Sequence, residues 1–190
     1  MLSLLATSFL DKNPGSNIIH DPRVIWNVQD IVTRKGGRAI QSKTGHAFIK
    51  QAMRQTQAIY GGEMSAHHYF KDFAYCDSGM VPWLLIMELL STSGIPLSKL
   101  VKEQFEAFPS SGENNFTVEN ANAAIETVLQ KYKPDALSID ETDGVSLAFD
   151  SWRFNLRKSN NEPLVRLNIE ARGNAVDINE KLEVIKSLIT

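Results

Sequence analysis

Short apolar runs and longer runs with apolar residues at helical spacing alternate along the first half of the chain. Residues 16–20 and 38–41 are β-like, and the helical runs 26–35 and 44–57 follow them. Residues 58–60 begin a third strand. This alternation is typical of an α/β layer, in which helices cover a sheet.

Two further apolar stretches have a helical pattern. Residues 1–10 (MLSLLATSFL) predict an amphipathic helix, because leucine and phenylalanine recur at helical spacing. This stretch lacks the basic start of a secretory signal and is too short to span a bilayer. Residues 80–91 are apolar nearly all round, so we expect that helix to be sandwiched between other elements.

The pattern changes at residues 107–115 (AFPSSGENN), which make the best candidate for a domain boundary. Residues 97–105 form the last predicted helix before it. Beyond it come a helix over residues 118–132, a strand-rich stretch with a turn at Asp143-Gly144, and a closing helix from Ile178. The second half is therefore predicted to be α+β, with helices on a mainly antiparallel sheet.

Composition excludes several classes of protein. The chain has 190 residues, enough for two small domains, with 20 Lys plus Arg against 22 Asp plus Glu. A net charge of −2 gives no electrostatic reason to expect nucleic acid or a membrane as a partner. The single cysteine, Cys76, excludes an intrachain disulfide and a cysteine zinc site. It favours a reducing compartment, the cytoplasm.

The three predicted strands of the first half all run into polar loops, at residues 20–23, 42–46 and 61–68. In an open α/β sheet, ligands bind beyond the carboxyl ends of the strands. Cations there would hold an anion, and a carboxylate with a hydroxyl would bind a polyol. The residues expected to share this rim are Arg23, Lys43, His46, Glu63, Ser65 and His67.

Other interpretations compete with this one. In one alternative, each of these side chains is a structural hydrogen-bonding group of its loop and has no role in binding or catalysis. Glu63, His67, His68 and Asp77 carry metal-ligating atoms, but their spacing matches no established metal-ligand pattern. We therefore do not predict a metal site from them.

A second candidate site lies in residues 152–172. Apolar and polar residues alternate on both sides of the loop 158–163, which predicts two strands of a hairpin. Small polar side chains and turn amides suit phosphate, and an arginine at the loop's edge can bind two oxygens at once. A solvated hairpin with cations on its outer face is an equally good interpretation. The candidate phosphate-binding residues are Arg157, Ser159, Asn160 and Asn161.

These segments resemble the α-D-phosphohexomutase superfamily, most closely its bacterial phosphomannomutase branch. GGEMSAHHYF (61–70) is similar to the family's sugar-binding loop, usually GEMSGH, and RKSNNEP (157–163) to its phosphate-binding loop, usually RxSNTEP. SKTGH and HDPR match positions around the family's active-site cleft. Two residues depart from the pattern: Ala66 replaces the usual Gly, and Asn161 replaces the usual Thr.

The resemblance implies an enzyme that moves a phosphoryl group between O1 and O6 of a hexose, through a bisphosphorylated sugar. It implies that Glu63 and Ser65 bind sugar hydroxyls and that His67 is an auxiliary catalytic residue for proton transfer or orientation. It also implies that Arg23 and His46 line the phosphate and sugar side. The phosphate-binding loop would hold the phosphate that is not being transferred, because remote binding energy positions the reacting end.

The sequence contains neither the family's TxSHNP serine loop nor its DGDxD magnesium loop. The resemblance therefore implies the third and fourth domains of a four-domain enzyme, inactive alone. The expected partners are a hexose phosphate, of mannose or glucose, and the missing N-terminal half. Magnesium belongs to the full-length enzyme and is not expected to bind this chain.

The expected fold class is α/β, with a three-layer α/β/α domain on a mixed sheet followed by an α+β domain on a mainly antiparallel sheet. Residues 1–13 would be a remnant helix of a preceding domain, residues 14–112 the sugar-binding domain and residues 113–190 the phosphate-binding domain. The alternative function is a stand-alone sugar-phosphate binding module, or a subunit that completes an active site in trans.

Overall fold

A computed structural model of the chain describes residues 1–159 and 162–189. It divides into two compact units, Met1–Gln104 and Phe105–Thr190. The first unit is a mixed sheet covered by helices and the second is an antiparallel sheet with helices, so the predicted fold class is confirmed.

The first unit contains a five-stranded sheet in the order β2-β1-β3-β4-β5. The central strand β1 pairs in parallel with β2 and β3, whereas β4 and β5 continue the sheet in antiparallel pairing. The two antiparallel strands were not predicted, because two or three residues are too few for a periodic pattern. The strands are β1 (Asn17–His20), β2 (Arg38–Gln41), β3 (Tyr60–Gly62), β4 (His68–Phe70) and β5 (Cys76–Asp77).

Helices lie on both faces of this sheet. Successive strand residues point to opposite faces, and Ile18 and Ile19 of β1 accordingly belong to two separate apolar clusters, both fully buried. The cluster around Ile18 includes residues of α1 and α2, and the cluster around Ile19 includes residues of α3. The helices are α1 (Leu2–Lys12), α2 (Trp26–Arg34), α3 (His46–Thr56), α4 (Met80–Ser93) and α5 (Leu97–Ala107), and a 3₁₀ turn covers Lys71–Phe73.

Helix α1 covers most of residues 1–13, the segment predicted to be the remnant of a preceding domain, and it packs against the first unit. Leu5 and Leu10 are buried in the same cluster as Ile18 and Phe70. Amphipathic spacing showed that one face of α1 is apolar, but it did not show which core that face joins. The structure places it in the core of the first unit.

The exposure of α4 corrects the prediction that this helix is sandwiched between other elements. Val81, Leu85 and Ile86 pack against the apolar cluster of α1 and β1. The opposite face, formed by Met80, Trp83, Leu84 and Met87, is at least half exposed, so α4 is not sandwiched. Within the described residues, no single helix has the length and apolarity needed to cross a membrane, although α4 and α5, bent by 99°, pass that test as a pair.

The second unit is a five-stranded antiparallel sheet in the order β6-β10-β9-β8-β7. Its two helices pack against an apolar cluster that contains Phe154, Leu156, Leu167 and Ile185. The strands are β6 (Ser110–Thr117), β7 (Ser138–Asp140), β8 (Val145–Ala148), β9 (Trp152–Lys158) and β10 (Leu164–Ala171), and the helices are α6 (Ala121–Tyr132), α7 (Ile178–Ile189) and a 3₁₀ turn at Lys133–Asp135.

The stretch predicted as a boundary is largely a strand. β6 pairs with β10 along the edge of the sheet, with Phe116 opposite Val165 and Asn114 opposite Leu167. Its polar composition reflects this edge position, where only one side of the strand has a neighbour. The compact units divide between Gln104 and Phe105, within α5, whereas the predicted boundary followed residue 112.

The predicted turn at Asp143-Gly144 connects β7 with β8 and lies against β9. Gly144 has φ +69°, and a Cβ built on it would lie 2.5 Å from Arg157 Cβ and from Leu156 O. Gly173 also has positive φ, +54°, but a Cβ there meets nothing within 4 Å. Substitution at Gly173 therefore tests the cost of the positive φ alone, whereas substitution at Gly144 adds the cost of a steric clash.

We expect Gly144→Ala to lower the free energy of unfolding by about 1–3 kcal/mol more than Gly173→Ala, because only the first adds overpacking to the unfavourable backbone conformation. Urea unfolding followed by tryptophan fluorescence measures both variants. Equal losses would show that the turn does not pack closely against β9.

Candidate functional site

The carboxyl ends of β1, β2 and β3 lie at one edge of the first sheet, because the three strands are parallel. Hydrogen bonds join the loops that follow them. The Ser42 N–H donates to His20 O at 2.9 Å, the Gly45 N–H to Glu63 Oε1 at 2.6 Å, and the Met64 N–H to Asp21 Oδ2 at 2.8 Å. The three loops form the rim that their sequence positions predict.

Asp21 organises the loop after β1. Its side chain is 2% exposed and accepts hydrogen bonds from the N–H of Arg23 at 3.0 Å and from Arg23 Nε at 2.9 Å. Arg23 Nη2 also pairs with Asp21 Oδ2 and donates to Ser65 Oγ at 3.2 Å. Because a buried carboxylate fixes its guanidinium, Arg23 is held in one orientation. The sequence prediction included Arg23 but missed Asp21.

Glu63 organises the loop between β3 and β4. It is 4% exposed; in addition to the Gly45 bond, Oε2 accepts the hydroxyl of Ser65 at 3.1 Å. The Ala66 N–H donates to Glu63 O at 3.1 Å, which closes the turn. Ala66 adopts φ +65°, a conformation that glycine adopts without steric cost. The departure from the family's usual glycine therefore falls on a strained position.

His67 is oriented by Asp77, which lies on β5. His67 Nδ1 lies 2.8 Å from Asp77 Oδ2, and Asp77 Oδ1 accepts the N–H of His68 at 2.9 Å. Burial raises the pKa of Asp77, but the hydrogen bonds from His67 and His68 outweigh it, so the pKa lies below its usual value. The contact with Asp77 lies on the Nδ1 side of the ring, so Nε2 is the ring nitrogen that Asp77 does not occupy.

His46, at the start of α3, lies beside His67 and forms a group with His67 and Asp77. Its ring centroid lies 4.7 Å from that of His67 and 5.4 Å from that of Tyr69, both in edge-on contact. Lys43, by contrast, is exposed, and its ammonium contacts the Phe48 ring at 5.9 Å. The structure thus brings five of the six predicted rim residues into two contacting groups and gives Lys43 a different neighbour.

One set of side chains among the described residues has the spacing of a metal site. The ligand atoms of His46, His67 and Asp77 lie within 4.8 Å of one another. Magnesium takes an octahedral shell of oxygens, so two imidazoles and one carboxylate do not fit it. We therefore derive no step through magnesium at this site.

His68 is a structural residue. It is 5% exposed, and its Nδ1 lies 2.7 Å from the hydroxyl of Tyr60. Burial lowers the pKa of His68 from 6.5 to about 4, because a charged imidazole loses its hydration there. His68 is therefore neutral at pH 7, and its partner Tyr60 lies in the core.

In the second unit, Arg157 of β9 pairs with a carboxylate of β6, which lies two strands away across β10. Arg157 Nη2 lies 2.9 Å from Glu113 Oε2, and Arg166 Nη1 lies 3.3 Å from Glu113 Oε1. Arg166 Nη2 also donates to Ser159 Oγ at 3.4 Å. Arg166 and Glu113 were not among the predicted residues, and Asn160 and Asn161 lie outside the described residues.

Much of the polar face of the hairpin is buried, whereas one of the two interpretations made from its sequence expected a solvated face. Arg153 and Glu170 form an ion pair of 2.6 Å with side chains 2% and 0% exposed. Asn155 donates to Asp143 O and to Ser146 Oγ, each at 3.0 Å. Alternation identified these residues as one face, but it did not distinguish a solvated face from a buried polar one.

Comparison with known proteins agrees with this architecture. Residues 1–108 match the family model of the phosphoglucomutase/phosphomannomutase alpha/beta/alpha domain III. Residues 113–185 match the model of the phosphoglucomutase/phosphomannomutase C-terminal domain.

Known phosphomannomutases are similar to this chain over its whole length. A phosphomannomutase of Escherichia coli is 57% identical over 189 residues, and one of Vibrio cholerae is 55% identical over 190 residues. A crystal structure of a phosphoglucomutase/phosphomannomutase family protein from Burkholderia thailandensis matches 98% of the chain, with 31% identity and a TM-score of 0.79. The chain spans 41% of the length of each of these three proteins.

The lowered pKa of His68 predicts a pH-dependent stability. The unfolded chain binds a proton at His68 below about pH 6.5, whereas the folded chain does so only near pH 4, so stability falls as the pH drops through this window. We expect wild type to lose about 2 kcal/mol more than His68→Asn between pH 7 and pH 5. Chemical unfolding at the two pH values measures this difference.

Tyr60→Phe is the matched control, because it removes the hydrogen bond but keeps the buried imidazole. It should retain the pH dependence of wild type. If the free energy of unfolding falls equally with pH in wild type and in His68→Asn, His68 is not the source of the pH dependence.

Proposed function

This chain belongs to the phosphoglucomutase/phosphomannomutase family, and we propose that it is the sugar- and phosphate-binding part of a phosphomannomutase-type enzyme. The reaction proposed for the whole enzyme is interconversion of hexose 1-phosphate and hexose 6-phosphate through a bisphosphate intermediate. Mannose and glucose phosphates are the proposed substrates, and the cytoplasm is the proposed location. The C-terminal position of the chain follows from its match to domain III and the C-terminal domain.

The observation that carries this proposal is the hydrogen-bonded group of Glu63, Ser65 and Arg23 at the ends of two parallel strands, β1 and β3. A carboxylate, a hydroxyl and a guanidinium together offer both acceptors and donors, which is what the hydroxyls of a sugar require. Each is already held by a neighbouring loop, so binding a sugar costs little ordering of side chains.

In this proposal, His67 assists proton transfer or orients the sugar. Asp77 keeps the proton of neutral His67 on Nδ1, which leaves Nε2 to accept a proton from a hydroxyl or to return it. His46, in ring contact with His67, lines the same rim. Lys43, exposed on the loop after β2, is proposed as a mobile cation for the substrate phosphate.

Arg157 and the loop that follows it are proposed to bind the phosphate that is not transferred. Arg157 offers a planar set of donors that matches phosphate oxygens. Ser159, with Asn160 and Asn161, is proposed to complete this loop. Anchoring the distal phosphate in this way positions the reacting end without chemistry at the anchor.

The chain is proposed to be inactive alone, because phosphoryl transfer requires a positioned nucleophile and neutralisation of charge. In the family, a serine loop and a magnesium loop supply these, and this sequence contains neither. The proposed partner is the N-terminal half of the relatives. The second candidate is a subunit that completes an active site in trans, and the exposed apolar face of α4 favours association with another polypeptide.

We expect no conversion of mannose 1-phosphate to mannose 6-phosphate by the 190-residue chain with a hexose bisphosphate activator and magnesium. A coupled assay for mannose 6-phosphate measures it, with a whole-length phosphomannomutase as the positive control. Substantial turnover by the chain would contradict the proposal that it binds substrate but does not transfer the phosphoryl group.

We expect Arg157→Ala to weaken binding of mannose 1-phosphate by about 1.5–3 kcal/mol, the range for a hydrogen bond to a charged group. Isothermal titration calorimetry measures the affinity. Arg34→Ala is the matched control, because Arg34 is an exposed arginine of α2. Unchanged affinity in Arg157→Ala would remove Arg157 from the phosphate site.

A further inference from the structure

We propose that His46, His67 and Asp77 form a binding site for a divalent transition-metal ion such as Zn²⁺. The inference goes beyond the proposed function, because it assigns a second kind of ligand to the rim of the first sheet. Sequence spacing did not reveal this set, because His46 lies on a different loop from His67 and Asp77.

Three segments of the chain contribute one ligand each. His46 begins α3, His67 lies in the loop before β4, and Asp77 lies on β5. One nitrogen of each imidazole and one oxygen of the carboxylate all lie within 4.8 Å of one another. A zinc ion with bonds of about 2 Å holds its tetrahedral ligands about 3.4 Å apart. Because His46 is exposed, rotation of its side chain can close the remaining distance.

The chemistry of the ligands selects the class of metal. Imidazole nitrogen suits zinc, copper and nickel, whereas magnesium and calcium take oxygen ligands. Two imidazoles with one carboxylate occur in zinc enzymes, where water fills an open fourth position. The side chains of His67 and Asp77 are 44% and 26% exposed, so an ion can reach them from solvent.

The carboxylate and one imidazole are already held in contact. His67 Nδ1 lies 2.8 Å from Asp77 Oδ2, and Asp77 Oδ1 accepts the N–H of His68 at 2.9 Å. A ligating carboxylate that a second hydrogen bond holds in place loses little side-chain freedom when a metal binds. The backbone amide of His68 supplies that bond.

Tyr69 supports the second imidazole. Tyr69 is opposite Asp77 in the β4–β5 pair, so both side chains lie on one face of the sheet. Its ring, fully buried in the cluster that contains residues of α3, is in edge-on contact with His46. Its hydroxyl has no hydrogen-bond partner among residues 1–159 and 162–189. The face behind His46 therefore retains a polar group that an outside ligand can satisfy.

A purely structural group is the competing interpretation. In it, Asp77 orients His67 through a hydrogen bond, and the ring of His46 packs on that of His67 at 4.7 Å. This interpretation accounts for the pair of His67 and Asp77. It gives no reason for His46 to bring a nitrogen within ligand distance of both partners, whereas a shared ion does.

The experiment measures zinc binding by the 190-residue chain, without a histidine tag, by isothermal titration calorimetry. We expect one ion per chain at micromolar zinc and no binding of magnesium at the same concentration. We expect His46→Gln, His67→Gln and Asp77→Asn each to weaken zinc binding at least about tenfold, because each removes one of three ligands.

Cys76→Ser is the matched control. Cys76 is the single cysteine of the chain and the neighbour of Asp77 on β5, so its side chain points to the opposite face of the sheet. This variant should bind zinc like wild type. Zinc binding that is lost in Cys76→Ser and kept in folded His46→Gln would overturn the inference.

A measurement on wild type keeps the inference testable if a variant does not fold. The chain has four histidines, which nuclear magnetic resonance can follow through their ring signals. Zinc should shift the signals of both His46 and His67, and by more than those of the buried His20 and His68. An unmoved His46 signal would overturn the inference, and so would the absence of binding at micromolar zinc.

The inference and the proposed function fail separately, because zinc binding is measured without a sugar. If zinc binds through the three residues while the chain binds no mannose 1-phosphate, the metal site stands and the proposed function is wrong. If mannose 1-phosphate binds and zinc does not, the proposed function stands, and the three residues form no metal site.

Discussion

The loops and strand faces of both candidate sites depend on one constraint: a carboxylate that is shielded from water has to be matched by hydrogen-bond donors. Asp21 and Glu63 are almost fully buried, and each takes a donor from a loop other than its own. Asp77 holds β4 to β5 through His67 and the amide of His68. The rim at the ends of three strands is therefore fixed by its acidic residues.

The same constraint operates in the second unit, but there the groups that need a partner are arginines and the carboxylates supply it. There, cations are closely spaced, and Glu170 and Glu113 neutralise them, one fully buried and the other partly exposed. The buried pair of Arg153 and Glu170 lies on the face of the sheet opposite the apolar cluster. The group of Glu113, Arg157 and Arg166 is partly exposed and includes the proposed phosphate-binding arginine, Arg157. Burial thus separates a structural ion pair from a candidate binding site on one sheet.

The features that could be predicted from the sequence are those that depend on residues close together in the chain. The parallel strands, their polar loops, the hairpin and the turn at Asp143-Gly144 follow from periodicity and turn residues, and the structure has all of them. The roles of Asp21, Glu113 and Arg166 depend on the register between strands distant in sequence, so no local pattern carries them. The environment of α1 and of the exposed face of α4 likewise depends on which neighbours the fold provides.

Titration of mannose 1-phosphate into the isotope-labelled chain, with backbone amides as probes, tests the central claim most directly. The proposed function predicts shifts in both units: at Gly45 and Met64, whose amides are held by Glu63 and Asp21, and at Arg157 and Ser159. Amides of exposed Arg34 and of Glu183 should stay in place. Saturating sugar phosphate that moves neither set of site amides would contradict the claim that this chain binds sugar and phosphate.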